Sequence, residues 1–220
     1  HLTIEETYEL ADAILEKDTQ EIKGEIGDLM LHMVFYAKIA SETNDFDIAD
    51  VLDSICKKLI DRHPHIYGDV KVANEEEVKQ NWEKLKLKEG KKSVLEGVPK
   101  SLPALVKAIR IQDKAKGVGF DWEKPEQVWE KVQEELEEFV EAAQGRNQLE
   151  MEAEFGDLLF SLINYSRFVD IDPELALERT NKKFIHRFTY LETHAAAEGK
   201  SLDQMSLEEM DVHWNKAKKL

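Results

Sequence analysis

Glu134-Glu135-Leu136-Glu137-Glu138 is followed, sixteen residues after Glu138, by Glu154-Phe155-Gly156-Asp157. The same arrangement occurs 129 residues earlier, where Glu5-Glu6-Thr7-Tyr8-Glu9 leads to Glu25-Ile26-Gly27-Asp28 with the same sixteen-residue spacing from Glu9 to Glu25. Residues three apart on a helix share a face. Each copy therefore presents two carboxylate pairs from two neighbouring helices: Glu6/Glu9 with Glu25/Asp28, and Glu135/Glu138 with Glu154/Asp157. Four converging carboxylates make a site for a hard cation. With 46 acidic residues among 220, about 0.4 such constellations arise by chance along the chain, so one copy alone says little. The second copy also repeats Ala13/Ala142, Gly27/Gly156, Leu29/Leu158 and Tyr36/Tyr165 at the constant offset, which marks a duplicated unit.

Working outward, Thr3 and Glu6 are spaced as a capping box for a helix through about Leu15, and Asp18 or Thr19 can start the next. In that second helix Ile22, Ile26, Leu29, Met30, Met33 and Val34 recur at helical spacing to about Ser41. Asp47 opens a third, which must stop before Pro64, and Glu75 to Lys88 gives a fourth. Gly90 to Pro103, with two Gly and two Pro, is the expected domain boundary. It leaves a first domain over 1–95 and a second over 101–220. Ser101-Leu102-Pro103 starts a helix through Lys116, a loop follows at Gly117-Val118-Gly119-Phe120-Asp121-Trp122, and helices are expected at about 125–144, 148–168, 172–197 and 206–218. No stretch alternates like a strand, so the fold class is all-α.

The net charge of −16 argues against binding to nucleic-acid phosphates or an anionic membrane. An acidic chain that handles a polyanion needs metal ions between them. No run approaches the roughly 18 apolar residues of a membrane span. Cys56, the one cysteine, allows no internal disulfide and reads as a buried, inert thiol in a reducing compartment, so a cytoplasmic location is expected. The sequence opens at His1 without a Met and almost inside a helix, so the first domain is expected to lack its natural start.

The repeat continues at an offset of 125 through Asp47/Asp172, Leu52/Leu177, Lys57/Lys182, Lys58/Lys183, Ile60/Ile185 and Arg62/Arg187. Lys58 with Arg62, and Lys183 with Arg187, sit four apart on one helix face. Trp82 with Lys86, and Trp214 with Lys218, repeat that spacing. Matched cations opposite a carboxylate cluster suggest a polyphosphate held between metal and Lys/Arg; surface salt bridges are the plainer alternative. Trp82 and Trp214 can stack on a base or anchor the last helix. Phe120, Asp121 and Trp122 can reach the second site, although a turn with aromatic anchors is the simpler expectation. His63-Pro64-His65 reads as a structural loop.

EExxE, then ExxD, a Lys/Arg helix and a terminal Trp/Lys helix, twice in tandem over nearly the whole chain, resembles the MazG family of the all-α NTP pyrophosphatase superfamily. The resemblance implies two tandem four-helix domains completed by homodimerisation. It also implies Mg²⁺ (or Mn²⁺) dependence and cleavage of a nucleoside triphosphate to monophosphate and pyrophosphate. It carries metal-ligand roles to Glu135, Glu138, Glu154 and Asp157, and triphosphate contacts to Lys183, Arg187, Trp214 and Lys218. The first copy offers Glu6, Glu9, Glu25 and Asp28, with Lys58, Arg62, Trp82 and Lys86. In tandem members the C-terminal copy is usually the catalytic one. Asn181, which the family pattern expects before the Lys/Arg pair, is replaced by Cys56 in the first copy, and that copy begins without the aromatic loop of Phe120 to Trp122.

In that reading Glu134 is the first candidate to take a proton from the attacking water, while Lys183, Arg187 and Lys218 absorb charge on the leaving pyrophosphate. No GxxxxGK[ST] loop is present, so the cations must come from side chains. A di-iron bundle would need Glu-x-x-His, and none of the seven histidines has a Glu three residues before it. The alternative of another class is a non-enzymatic all-α dimerisation or regulatory module whose acidic clusters bind divalent ions.

Overall fold

The computed structural model describes residues 1–68, 70–72, 78 and 93–219. The described residues form helices and connecting turns with no strand, as the absence of alternating stretches requires. The chain divides into two compact units, His1–Leu85 and Lys86–Leu220. The fourth helix expected over Glu75 to Lys88, with Trp82 and Lys86 on it, lies outside the described residues.

In the first unit α1 (Leu2–Glu16) packs on α2 (Thr19–Glu42), followed by α3 (Ile48–Arg62) and the single turn α4 (Pro64–Tyr67). Asp18 caps α2 by accepting from the Gln20 and Glu21 amides at 2.9 and 3.1 Å, satisfying donors that the first helical turn leaves unpaired. Asp47 and Asp50 form a reciprocal capping box on α3. Three expectations need correction. Thr3 lies inside α1, whose N-cap is His1 with no side-chain cap; the Thr3 hydroxyl is hydrogen-bonded to the Tyr36 hydroxyl on α2 instead. His63-Pro64-His65 is not a plain loop, because Pro64 occupies the first turn of α4, where a missing N–H costs nothing. Cys56 is exposed, since α3 packs on α2 and α4 and its stripe of Leu52, Ile55 and Leu59 also remains solvent-facing.

The second unit comprises α5 (Ala104–Lys116), α6 (Pro125–Gly145), α7 (Gln148–Phe168), α8 (Pro173–Ala197), a 3₁₀ turn (Leu202–Gln204) that periodicity did not signal, and α9 (Leu207–Ala217). Two residues join α6 to α7, forcing an antiparallel hairpin. Two ring pairs zip it: Trp129 with Tyr165, centroids 4.9 Å apart, and Phe139 with Phe155 at 5.6 Å. Buried Val128 and Val132 add apolar contact. Where Pro64 stops α3, Thr189 lets α8 run on to Ala197. Leu191 and Ala195 on that extension join Met205, Leu202 and Met210 in the unit's buried cluster, which seats α9. Ser206 and Glu209 form the capping box of α9.

Candidate active site

The α6–α7 hairpin brings Glu135, Glu154 and Asp157 together, with one oxygen of each carboxylate within 4.8 Å of the others. Glu135 is buried, Glu154 half-buried and Asp157 exposed. Glu138 stands one turn beyond Glu135 and outside that triplet. Partial desolvation, followed by the charges of Glu135 and Glu154, raises its carboxyl above the ordinary range, against an opposing pull from Lys131.

Lys131 carries a role that spacing did not announce. Its Nζ lies 2.6 Å from Glu135 Oε1 and 2.9 Å from Glu134 Oε1. These contacts raise the ammonium pKa, Glu135 first and Glu134 second. The signal was present as a cation three and four residues before two acids, but such pairs are common on helix surfaces. The burial of Glu135 separates this one from the rest.

In the first copy Glu6, Glu25 and Asp28 form the equivalent triplet across α1 and α2, and Glu9 lies outside it. The position matching Lys131 at the repeat offset is Leu2. Here desolvation and mutual repulsion raise the carboxyls of Glu9 and Glu25: Glu6, Glu5 and Asp28 act on Glu9, and Glu9, Glu6 and Asp28 on Glu25. Glu25 Oε2 is buried with no hydrogen-bond donor. A buried anionic lone pair without a partner is costly, and a cation would satisfy it. Both triplets are all-oxygen donor sets of the kind that suits Mg²⁺, Mn²⁺ or Ca²⁺.

The cationic residues of the second copy are held by a different helix pair. On α8 the Arg187 guanidinium lies over the Trp214 ring of α9 at 5.8 Å, and Phe184 meets the same indole edge-on at 5.1 Å. Trp214 thus anchors α9 to α8 and orients Arg187. Lys183 is exposed. Lys218 donates to Asn215 Oδ1 at 3.0 Å, and Asn181 donates to Glu178 at 3.2 Å. Among the described residues no ion pair joins Lys183, Arg187 or Lys218 to the four carboxylates of the hairpin. In the first copy Lys58 is exposed and Arg62 half-buried on α3.

The loop before α6 is held by its acid rather than its aromatics. Asp121 Oδ1 accepts from Arg167 Nη2 at 2.7 Å with both side chains mostly buried, and the same guanidinium reaches Asn164. Phe120 is 82% exposed and Trp122 is exposed as well, so the expectation of aromatic anchors is corrected. Gly119 has φ +86°, a conformation open to glycine, which lets the loop turn immediately after α5.

The family model described as the MazG nucleotide pyrophosphohydrolase domain matches residues 1–67 and again residues 123–191. The second match covers the whole α6–α7 hairpin. A Thermotoga maritima protein named nucleoside triphosphate pyrophosphohydrolase/pyrophosphatase MazG is 45% identical over 98% of this chain and 83% of its own length. An Escherichia coli nucleoside triphosphate pyrophosphohydrolase is 41% identical over 99% of this chain and 85% of its own. YabN of Bacillus subtilis, an uncharacterized protein, is 48% identical over 98% of this chain, which spans 45% of its length. With the family's domain matched twice and relatives this similar along almost its full length, the chain belongs to the MazG nucleotide pyrophosphohydrolase family.

Proposed function

We propose that this chain hydrolyses nucleoside triphosphates to nucleoside monophosphate and pyrophosphate, and does so at the second acidic site. The observation that carries this reading is the approach of Glu135, Glu154 and Asp157 within 4.8 Å on the hairpin that the family match covers. Together with Glu138 they hold Mg²⁺, which when bound neutralises triphosphate charge and acts as a Lewis acid. Lys183, Arg187 and Lys218 receive the phosphates, and Trp214 sets the direction of Arg187. Glu134 takes a proton as water oxygen bonds to the α-phosphorus. The bond from the α-phosphorus to the bridging oxygen breaks, and its electron pair leaves with pyrophosphate.

The working form in this reading is a homodimer of chains built from domains 1–95 and 101–220. Support comes from the apolar side chains each unit leaves in water: Met30, Val34 and Phe35 on α2, and Phe155, Leu159 and Phe160 on α7, are all at least 40% exposed. Patches of that kind mark interaction surfaces. No described helix is long and apolar enough to cross a membrane, which accords with a cytoplasmic enzyme.

The test is ³¹P NMR of the protein with Mg²⁺ and a panel of ribo- and deoxyribonucleoside triphosphates, beside Glu138→Gln and Glu9→Gln. Monophosphate plus pyrophosphate, lost with Glu138→Gln alone, is the expected outcome. Orthophosphate plus diphosphate would contradict attack at the α-phosphorus. Loss with Glu9→Gln alone would move the chemistry to the first copy, and no turnover would favour a binding module.

A further inference from the structure

We infer that Lys131 is a positioning residue that sets the second acidic site apart from the first: it orients Glu134 and Glu135 for turnover and weakens the site's hold on a bare divalent ion. The inference rests on the reading of this site as the hydrolytic centre. Lys131 Nζ lies 2.6 Å from Oε1 of Glu135, whose side chain is 8% exposed, and 2.9 Å from Oε1 of Glu134, whose side chain is 56% exposed. One ammonium therefore ties the buried ligand and the proposed proton acceptor on adjacent positions of α6. It occupies one oxygen of Glu135 and leaves the other for an ion.

The two effects of Lys131 on ion binding oppose each other. Fixing the Glu135 rotamer favours binding by sparing side-chain entropy. A unit positive charge against the same carboxylate repels a divalent ion at close range, and at such range the Coulomb effect is the larger. The first copy shows the cluster without this cation: Leu2 stands at the position matching Lys131, and among the described residues no ion pair reaches Glu5 or Glu6, the counterparts of Glu134 and Glu135. A site that binds a bare ion too tightly gains nothing in turnover, because only interactions strengthened in the transition state raise the rate. Lys131 lowers the first affinity and keeps Glu134 and Glu135 where the reaction needs them.

The test uses the full chain with Glu25→Gln throughout, so that the second site dominates ion binding, and compares Lys131, Lys131→Met and Lys131→Arg. Mn²⁺ alone is titrated by EPR, kcat and KM for a nucleoside triphosphate are measured separately, and far-UV circular dichroism reports the helices. The expected result is opposite signs in Lys131→Met. Mn²⁺ binds roughly tenfold tighter, kcat falls roughly 10- to 100-fold, and helicity is retained; Lys131→Arg recovers most of kcat. Unchanged Mn²⁺ affinity with unchanged kcat overturns the inference. Weaker Mn²⁺ binding together with lost helicity also overturns it, since a merely structural ion pair would behave that way. If the chain with Lys131 intact turns over no nucleotide while Lys131→Met still tightens Mn²⁺, the functional reading fails and the electrostatic half of the inference stands.

Discussion

Lys17 and Arg146, 129 residues apart, hold the same left-handed backbone conformation: φ 58°, ψ 29° at the end of α1 and φ 55°, ψ 29° at the end of α6. Each is followed at once by a capping residue, Asp18 or Asn147, whose side chain accepts from the next helix. The duplication thus extends from carboxylate spacing to the turn that makes each hairpin, and the turn places ExxD beside EExxE.

A side chain at this conformation strains its Cβ against the following carbonyl, and glycine is the common occupant of such a position. Arg146→Gly is expected to stabilise the second unit by about 0.5–1 kcal/mol, after the larger unfolded-state entropy of glycine is subtracted. Urea unfolding with an unchanged m-value checks it; destabilisation would mean that the Arg146 side chain has a stabilising role outweighing its backbone strain.

Arg167 joins α7 to the loop before α6 through Asp121, with side chains 13% and 17% exposed. Removing one partner leaves a mostly desolvated charge, so Arg167→Ala is expected to cost about 2 kcal/mol. Replacing both, as Arg167→Met with Asp121→Asn, is expected to cost less than the sum of the single changes. A double-mutant cycle on thermal unfolding reads the coupling, and additivity would show that the contact holds nothing.

How much of this was legible follows from what periodicity encodes. Spacing of three and four tells which residues share a helix face, and two copies told that the faces belong together, so Glu135, Glu138, Glu154 and Asp157 could be picked from letters alone. Of these the hairpin brings Glu135, Glu154 and Asp157 within 4.8 Å and leaves Glu138 outside. Periodicity does not tell which apolar faces a partner covers, and for that reason Cys56 read as buried although it is exposed beside the solvent-facing stripe of α3. Nor does it rank equivalent local contacts. Thr3 fitted a cap and found Tyr36 instead, and Lys131 looked like any helix-surface lysine until the burial of Glu135 distinguished it. In the loop the aromatics drew attention, while the geometry gave the anchoring to Asp121 because a charged pair tolerates burial only when matched.

Glu9, Glu25 and Glu138 all have carboxyls raised above the ordinary value of 4.5. A raised folded pKa means the folded state binds the proton more tightly than the unfolded chain. Their contribution is therefore present below about 4.5 and lost as pH rises through the folded values. Glu208 and Glu209 are lowered, chiefly by a backbone hydrogen bond and by Lys200 respectively, and act oppositely, losing stability as pH falls below 4.5. In EDTA, Tm is expected to fall as pH is raised from about 4.5 toward neutrality. Mg²⁺ should replace the lost protons, so the Tm gain on adding it grows with pH. Scanning calorimetry of the protein and of Glu9→Gln with Glu138→Gln checks this; an Mg²⁺ increment independent of pH would contradict it.

Gly156 lies between Phe155 and Asp157 on α7, and a Cβ built there meets nothing within 4 Å, as at Gly27 in the first copy. Glycine inside a helix costs about 0.5–1 kcal/mol relative to alanine, and neither hairpin gives a steric reason for it. A cation held by the proposed site would not be the reason, because at about 100° per residue Gly156 points roughly 160° away from Glu154. The remaining candidate is the second copy of the proposed dimer, whose close approach an added methyl would block. Gly156→Ala is expected to raise the stability of the isolated chain by about 0.5–1 kcal/mol while weakening the dimer roughly tenfold or more through overpacking. Urea unfolding at low concentration reads the first effect and sedimentation equilibrium the second. A stabilised chain with an unaltered dimer would place the second copy elsewhere.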